Sequence, residues 1–222
     1  MECPKISSNG MIRMNKQQIE YIRLGPDELV ECHRIGNEHY QRAISDGVQN
    51  QKIAHHKSDL EIHVEGIIGE YAVARTLGLG GFEMVSMCGT DKRGDIALPT
   101  GDFIEVKATG RVNNNFLIEG GDVQTLFKAT YGVAVWVLPP QSSSVLDVVP
   151  FVDVGVVGWC NQHIFDTRKH WFGLKKNGDP MPRPTWGVRW FDLEPLDGLR
   201  DHLAWYPVNQ HNQQVSTPAI NS

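Results

Sequence analysis

Thr90 to Thr109 read TDKRGDIALPTGDFIEVKAT, and the pattern is that of a β-hairpin. Ile96 to Leu98 form a short apolar run, and Pro99, Thr100, Gly101 and Asp102 supply turn chemistry. Phe103 to Lys107 then alternates as a half-buried strand does. Side chains alternate across a strand, so Glu105 and Lys107 share one face while Val106 takes the other. A turn centred near Thr100 and Gly101 sets Asp95 opposite Glu105 or Val106, within one residue. Two carboxylates and an ammonium therefore converge on rigid backbone.

Two carboxylates one strand apart make a hard, oxygen-rich site suited to Mg²⁺ or Mn²⁺. Such an ion polarises a phosphoryl oxygen and lowers the pKa of a bound water. A lysine beside the pair orients that water or stabilises the charge that grows on phosphoryl oxygens. The competing reading is a surface hairpin with an ordinary cross-strand ion pair. The hairpin alone does not separate the two, so its setting must.

That setting is a helix just upstream. Ser58 and Asp59 cap a run from Leu60 to Leu77, with Gly78 as its C-terminal stop. Val64, Ile67, Ile68, Tyr71, Ala74 and Leu77 recur at helical spacing as the buried stripe. Gly66 and Gly69 are poor helix formers and need a packing reason, which close approach to a strand would provide. Glu70 borders the apolar stripe, so its carboxylate either reaches solvent or is aimed at a partner charge. Glu61 and Glu65 read as solvated.

Together these pieces resemble the PD-(D/E)XK nuclease superfamily. The resemblance rests on Gly66-Ile-Ile-Gly69-Glu70-Tyr-Ala-Val-Ala, Leu77-Gly78-Leu79, Gly94-Asp95-Ile96 and Ile104-Glu105-Val106-Lys107. A helix with Glu, a strand with Asp and a strand with Glu-x-Lys follow one another in the superfamily's order and spacing. The resemblance implies an α/β domain, a restriction-endonuclease-like mixed β-sheet flanked by helices, here with extra N-terminal helices. It also implies divalent-metal-dependent phosphodiester cleavage. The metal-binding aspartate falls on Asp95, the second carboxylate on Glu105, the catalytic lysine on Lys107 and the helical glutamate on Glu70. Asp95, Glu105 and Glu70 would hold Mg²⁺ or Mn²⁺. One departure is that Gly94 stands where the superfamily's name has proline. The match runs from about Asp59 to Val137, with a general likeness to small phage-encoded nucleases beyond it.

The bulk numbers bound the rest. A chain of 222 residues, 41% hydrophobic, can bury one substantial core. We expect one domain over 15–206, a disordered N-terminus over 1–14 and a polar tail over 207–222. A net charge of −5 does not advertise a nucleic-acid binder. Acidic clusters that bind metal contribute to that sum, so local patches matter more. Cys3, Cys32, Cys88 and Cys160 lie far apart without a CxxC pair, which argues for reduced thiols in a cytoplasmic setting (a host's cytoplasm if the chain is phage-encoded). No signal peptide is apparent and no apolar run approaches a membrane span.

Pro26, Asp27 and Glu28 read as the first turn of a helix towards Ser45. The polar segment 47–57 carries His55 and His56, which point to different helix faces and make a poor metal site even with His63. After Lys107 a polar loop holds Arg111 and Asn113 to Asn115. With Lys92 and Arg93, these could contact phosphate or sugar, or simply face water. Gln124, a further candidate for nucleic-acid contact, lies in an expected short helix over 121–129. Tyr131 to Leu138, YGVAVWVL, reads as a central strand. Pro139 to Ser144 reads as a loop, and Val145 to Val149 and Phe151 to Trp159 as strands. From Asp166 to Pro184, Arg168, Lys169, Lys175, Lys176 and Arg183 interleave with Trp171 and Phe172, with Trp186 close by. This is either a surface for unpaired nucleic acid or an irregular loop whose aromatics enter the core. Val188 to Leu193 reads as an edge strand and Leu196 to Leu203 as a helical turn. DNA is the expected partner and a homodimer is plausible. The alternative function is a nucleic-acid-binding or inhibitor protein that has the nuclease fold and does not cut.

Overall fold

The computed structural model describes residues 19–47, 57–86, 94–112, 114–119, 129–140, 143–174 and 180–204. In chain order these form β1 (Glu20–Leu24), α1 (Pro26–Ser45), α2 (Asp59–Thr76), α3 (Phe82–Ser86), β2 (Ile96–Ala97) and β3 (Phe103–Thr109). They continue with β4 (Phe116–Glu119), β5 (Tyr131–Leu138), β6 (Val152–Asn161), α4 (Gln162–Arg168), β7 (His170–Leu174), β8 (Pro180–Val188) and α5 (Leu196–Ala204). Expectations for 1–14, His55, His56, Lys92, Arg93, Asn113, Gln124, Lys175, Lys176 and 207–222 lie outside the described residues, as does the expected helix over 121–129 for all but its last residue.

The chain is α/β, built on a mixed five-stranded sheet in the order β1-β6-β5-β3-β2. β3 and β5 run parallel, and the remaining pairs are antiparallel. The sheet's two faces bury different things. Val133, Val135 and Val137 of β5 point into a core with Val64, Ile67 and Ile68 of α2, Leu29 and Ile35 of α1, and Leu196 and Leu199 of α5. Ala134 and Trp136 point the other way, into a second core with Phe116 of β4, Phe165 of α4 and Val188 of β8. A three-stranded antiparallel sheet, β4-β8-β7, covers that second face. β5 is thus buried on both sides, which is why its sequence is apolar at every position.

α1 begins at Pro26, where a missing N–H costs nothing, and the Glu28 carboxylate accepts from the Gly25 N–H at 2.9 Å. α2 is capped by Ser58, whose Oγ accepts from the Glu61 N–H at 3.1 Å, and is followed by Gly78 at φ +66°. A Cβ on Gly36 would lie 2.9 Å from the Cα of Val64, so this glycine lets α1 and α2 cross closely. Arg200 of α5 reaches both oxygens of Glu20 at 2.6 Å and the Thr76 carbonyl at 3.1 Å, tying β1 to the end of α2. Cys32 and Cys160 are free, buried thiols. Among the described residues no helix is long and apolar enough to cross a membrane.

Several expectations fail here, each for a local reason. Val145–Val149 is a turn, because Ser144 and Asp147 close it: the Ser144 N–H donates to the Asp147 carboxylate at 2.6 Å and the Ser144 Oγ accepts from the Leu146 N–H at 3.2 Å. Asp166–Pro184 is no irregular loop, since it ends α4 and holds the β7–β8 hairpin. The expected edge strand from Val188 stops there, and Trp190–Asp192 forms a 3₁₀ turn. Glu61 is half-buried and accepts from the Ser144 Oγ at 2.8 Å. Glu65 is buried and ion-paired with Lys57, so it is not solvated.

Candidate functional site

The hairpin forms from its turn outward. The Leu98 N–H donates to the Asp102 carbonyl at 2.8 Å and the Gly101 N–H to the Leu98 carbonyl at 2.9 Å. Gly101 takes φ +88°, a conformation that any side chain would strain. The turn is held further by Asp102, which accepts from the hydroxyls of Thr100 and Thr130 at 2.8 and 2.9 Å. Ile96 pairs with Ile104, which puts Asp95 beside Glu105 across the hairpin. The Asp95 N–H donates to the Ile104 carbonyl at 2.8 Å.

Beyond that bond, β2 ends and its partner strand has an unused N–H. The Asp95 carboxylate takes it, accepting from the Val106 N–H at 2.7 Å. The side chain is thereby fixed at the edge of β3. Gly94 allows the approach: a Cβ there would lie 2.8 Å from the Phe103 Cβ and 3.1 Å from the Ile104 carbonyl oxygen.

Glu105 and Lys107 project from the face of β3 that β5 continues with Gly132 and Ala134, the face covered elsewhere by the small sheet. Their side chains form an ion pair with each other. α2 lies against the opposite face. A Cβ on Gly69 would lie 2.7 Å from the Ala108 Cβ and 3.6 Å from the Val106 Cγ1, so this glycine has the strand contact its sequence position calls for. Gly66 does not: its nearest neighbour is the Glu70 carboxylate, 3.8 Å from where a Cβ would stand.

Glu70 is the residue that this close helix–strand packing delivers. Glu70 is half-buried, and its carboxyl interacts electrostatically with Asp95, Glu105 and Lys107. Its surroundings hold two like charges, Asp95 and Glu105, as well as the opposite charge of Lys107. Burial first, then the charges of Asp95 and Glu105, drive its pKa well above the usual carboxylate range, against the pull of Lys107. Asp95 is pushed up to about 6 by burial and by Glu105, opposed by Lys107 and the Val106 N–H. Three carboxylates thus crowd one ammonium.

That donor set is chemically right for a hard divalent cation, which would relieve the repulsion. The side chains are not gathered around an ion in this conformation. Among the described residues, no three His, Cys, Asp or Glu side chains form a metal-holding group. Glu105 is turned to Lys107 and Asp95 to the Val106 N–H.

The flanking cations fare differently. Arg111 is exposed just past β3. Arg168 is committed internally, to Glu194 at 2.5 Å and the Asp192 carbonyl at 2.6 Å. Lys169 pairs with Asp166 at 2.7 Å and lies 5.5 Å from the Trp186 ring centre. The Lys57–Glu65 pair, unforeseen in the sequence, sits at the C-terminal end of β3, where a Cβ on Gly110 would lie 3.0 Å from the Lys57 Nζ. A signal for it was present: Glu65 is adjacent to Val64 of the buried stripe and one residue from Gly66.

A family model described as a family of unknown function (DUF5843) matches residues 20–116. That span runs from β1 to the first residue of β4 and contains Glu70, Asp95, Glu105 and Lys107. No curated protein and no solved structure matches the chain.

Proposed function

We propose that this chain is a divalent-metal-dependent nuclease of restriction-endonuclease-like fold that hydrolyses phosphodiester bonds, most readily understood as acting on DNA. The observation that carries the reading is the meeting of Glu70, from α2, with Asp95, Glu105 and Lys107 of the β2–β3 hairpin. An ordinary surface hairpin has no use for three half-buried, mutually repelling carboxylates beside one another. Functional sites do hold such groups, at a cost to stability.

Asp95 and Glu105 would hold Mg²⁺ or Mn²⁺, with Glu70 as a further oxygen donor. A bound ion would supply Lewis acidity to a phosphoryl oxygen and a lowered pKa to water. Glu105 must then turn from Lys107 and share its oxygens with the cation, which leaves the ammonium for the substrate. Lys107 orients the attacking water and faces the negative charge that develops as water adds to phosphorus and the ester P–O bond breaks. The attacking water gives up a proton to solvent as it bonds to phosphorus, and the leaving oxygen takes one up, so that the bond is split by the elements of water.

The alternative, a nucleic-acid-binding or inhibitor protein that does not cut, fits the chain's net charge of −5 no better than the nuclease does. It also leaves Lys107 and the three carboxylates without a task. Calorimetry with Mn²⁺ tests the site: the parent should bind and Asp95→Asn should bind at least tenfold more weakly. Equal affinity in the two would remove Asp95 from the metal site.

A further inference from the structure

The loop that follows β3 is fastened to the face of the sheet from which Glu105 and Lys107 project. Thr109 continues their alternation along β3, and its partner in register is Trp136 of β5, which faces the second core. The Thr109 Oγ accepts from the Arg111 N–H and from the Asn114 Nδ2, each at 3.3 Å. At the far end the Asn115 Oδ1 accepts from the Trp190 N–H at 3.4 Å, and Phe116 enters the second core. Gly110 faces the other way: a Cβ there would stand on the α2 side, 3.0 Å from the Lys57 Nζ and 3.5 Å from the Glu65 Oε2. The chain at Arg111 thus lies against the Thr109 side, beyond Lys107 on the same run of β3.

Arg111 is exposed and has no carboxylate partner among the described residues. Arg23, Arg34, Arg75, Arg168 and Arg200, by contrast, are each ion-paired. From Lys107 to Ile118 the sequence KATGRVNNNFLI holds two cations and no carboxylate, in a chain whose sum is −5. An uncommitted guanidinium on a fastened loop offers a rigid fork of N–H donors, which matches phosphate oxygens two at a time. Lys107 and Arg111 are four residues apart, at most about 14 Å of chain. A nucleic-acid strand engaged at Lys107 has a further phosphate within that span. An isolated diester has none to offer.

We propose that Arg111, held in place by the Thr109 hydroxyl and Asn114, grips a phosphate neighbouring the one that is cut, so that the site takes a polynucleotide strand rather than an isolated diester. The proposal rests on the nuclease reading for its purpose but not for its test. Fluorescence anisotropy of a labelled DNA duplex of about 20 bp is measured with the full chain in EDTA over a range of salt, so that binding is read without cutting. A lost phosphate contact lowers the steepness of log K against log[salt] by about 0.9. Arg111→Ala should lower it by that amount and weaken every sequence alike, whereas Arg111→Lys, which keeps the charge, should keep the steepness. Thr109→Val keeps the shape of the side chain but accepts no hydrogen bond. It should weaken binding about threefold in the parent and not at all in the Arg111→Ala background, because it acts through Arg111.

An unchanged salt dependence in a folded Arg111→Ala variant would overturn the grip, as would no binding by the parent at all. An equal effect of Thr109→Val in both backgrounds would overturn the role given to Thr109. A salt dependence that needs Arg111, in a parent that gives no cleavage products with Mg²⁺ or Mn²⁺, would sink the nuclease reading and leave the phosphate contact standing.

Discussion

Replacing Asp95 by Asn should make the protein more stable while making it useless. The Asp95 carboxyl ordinarily titrates at 3.8, and its surroundings push it up to about 6. Because the folded value is the higher one, the native state holds the proton more tightly than the unfolded chain. The cost of ionisation is therefore absent below about pH 4, grows as pH rises and is complete above about 6. An elevation of this size corresponds to about 3 kcal/mol. Asparagine is nearly the same size, carries no charge and keeps an oxygen for the Val106 N–H, now 2.7 Å away. Asp95→Asn should gain up to about 3 kcal/mol at pH 8 and nothing at pH 4. For a chain of this length that is a Tm rise of about 6–12 °C, readable by calorimetry or thermal melts at both pH values in EDTA. Adding Mg²⁺ should raise the Tm of the parent and that of the variant by less, since a ligand stabilises the folded state in proportion to how well that state binds it. A variant less stable than the parent at pH 8, or equally stabilised at pH 4 and pH 8, would refute the reasoning, because it would mean that the carboxylate is not held in a repulsive, desolvated setting.

Two further substitutions probe the frame around the site. Gly69→Val puts a branched side chain where even a Cβ meets the Ala108 Cβ at 2.7 Å, and should cost about 1–3 kcal/mol in urea unfolding while lifting α2, and with it Glu70, away from β3. An unchanged unfolding midpoint would show that the helix–strand contact is not tight. Lys57→Met strands Glu65, which is 7% exposed, without its partner and should destabilise by about 3 kcal/mol, with Lys57→Met/Glu65→Leu recovering much of the loss. If the double variant is no better than the single, the penalty does not come from the orphaned carboxylate.

The site was legible because its parts are short-range patterns. The Ser58 cap, the Gly78 stop and the apolar stripe define α2, and Pro99–Asp102 set the hairpin turn, so spacing placed Asp95 opposite Glu105 or Val106, and the pairing of Ile96 with Ile104 selects Glu105. Gly69 even announced its strand contact. Other features were hidden by long-range partners. Glu65 looks solvated until Lys57 and the end of β3 are brought to it. Val145–Val149 has a strand's composition, but Ser144 and Asp147 offer the backbone a tighter alternative. The β7–β8 hairpin was masked by prolines that read as loop. β8 pairs with β4 only over Thr185–Val188, so Pro180, Pro182 and Pro184 fall where β4 asks for no ladder bond. β1 and β4 are short strands whose pairing partners lie more than sixty residues away, at β6 and β8. No local window contains that information.

The central claim is that Asp95, Glu105 and Lys107 cut a phosphodiester with the help of a metal ion. The most direct test is cleavage by purified parent and Lys107→Ala protein of linear duplex, supercoiled plasmid, single strand, four-way junction and RNA, each with Mg²⁺, Mn²⁺ or EDTA. The account predicts products that require the metal and vanish in a folded Lys107→Ala variant. Products that persist at the parent's rate in that variant, or no products from folded parent on any substrate, would contradict it.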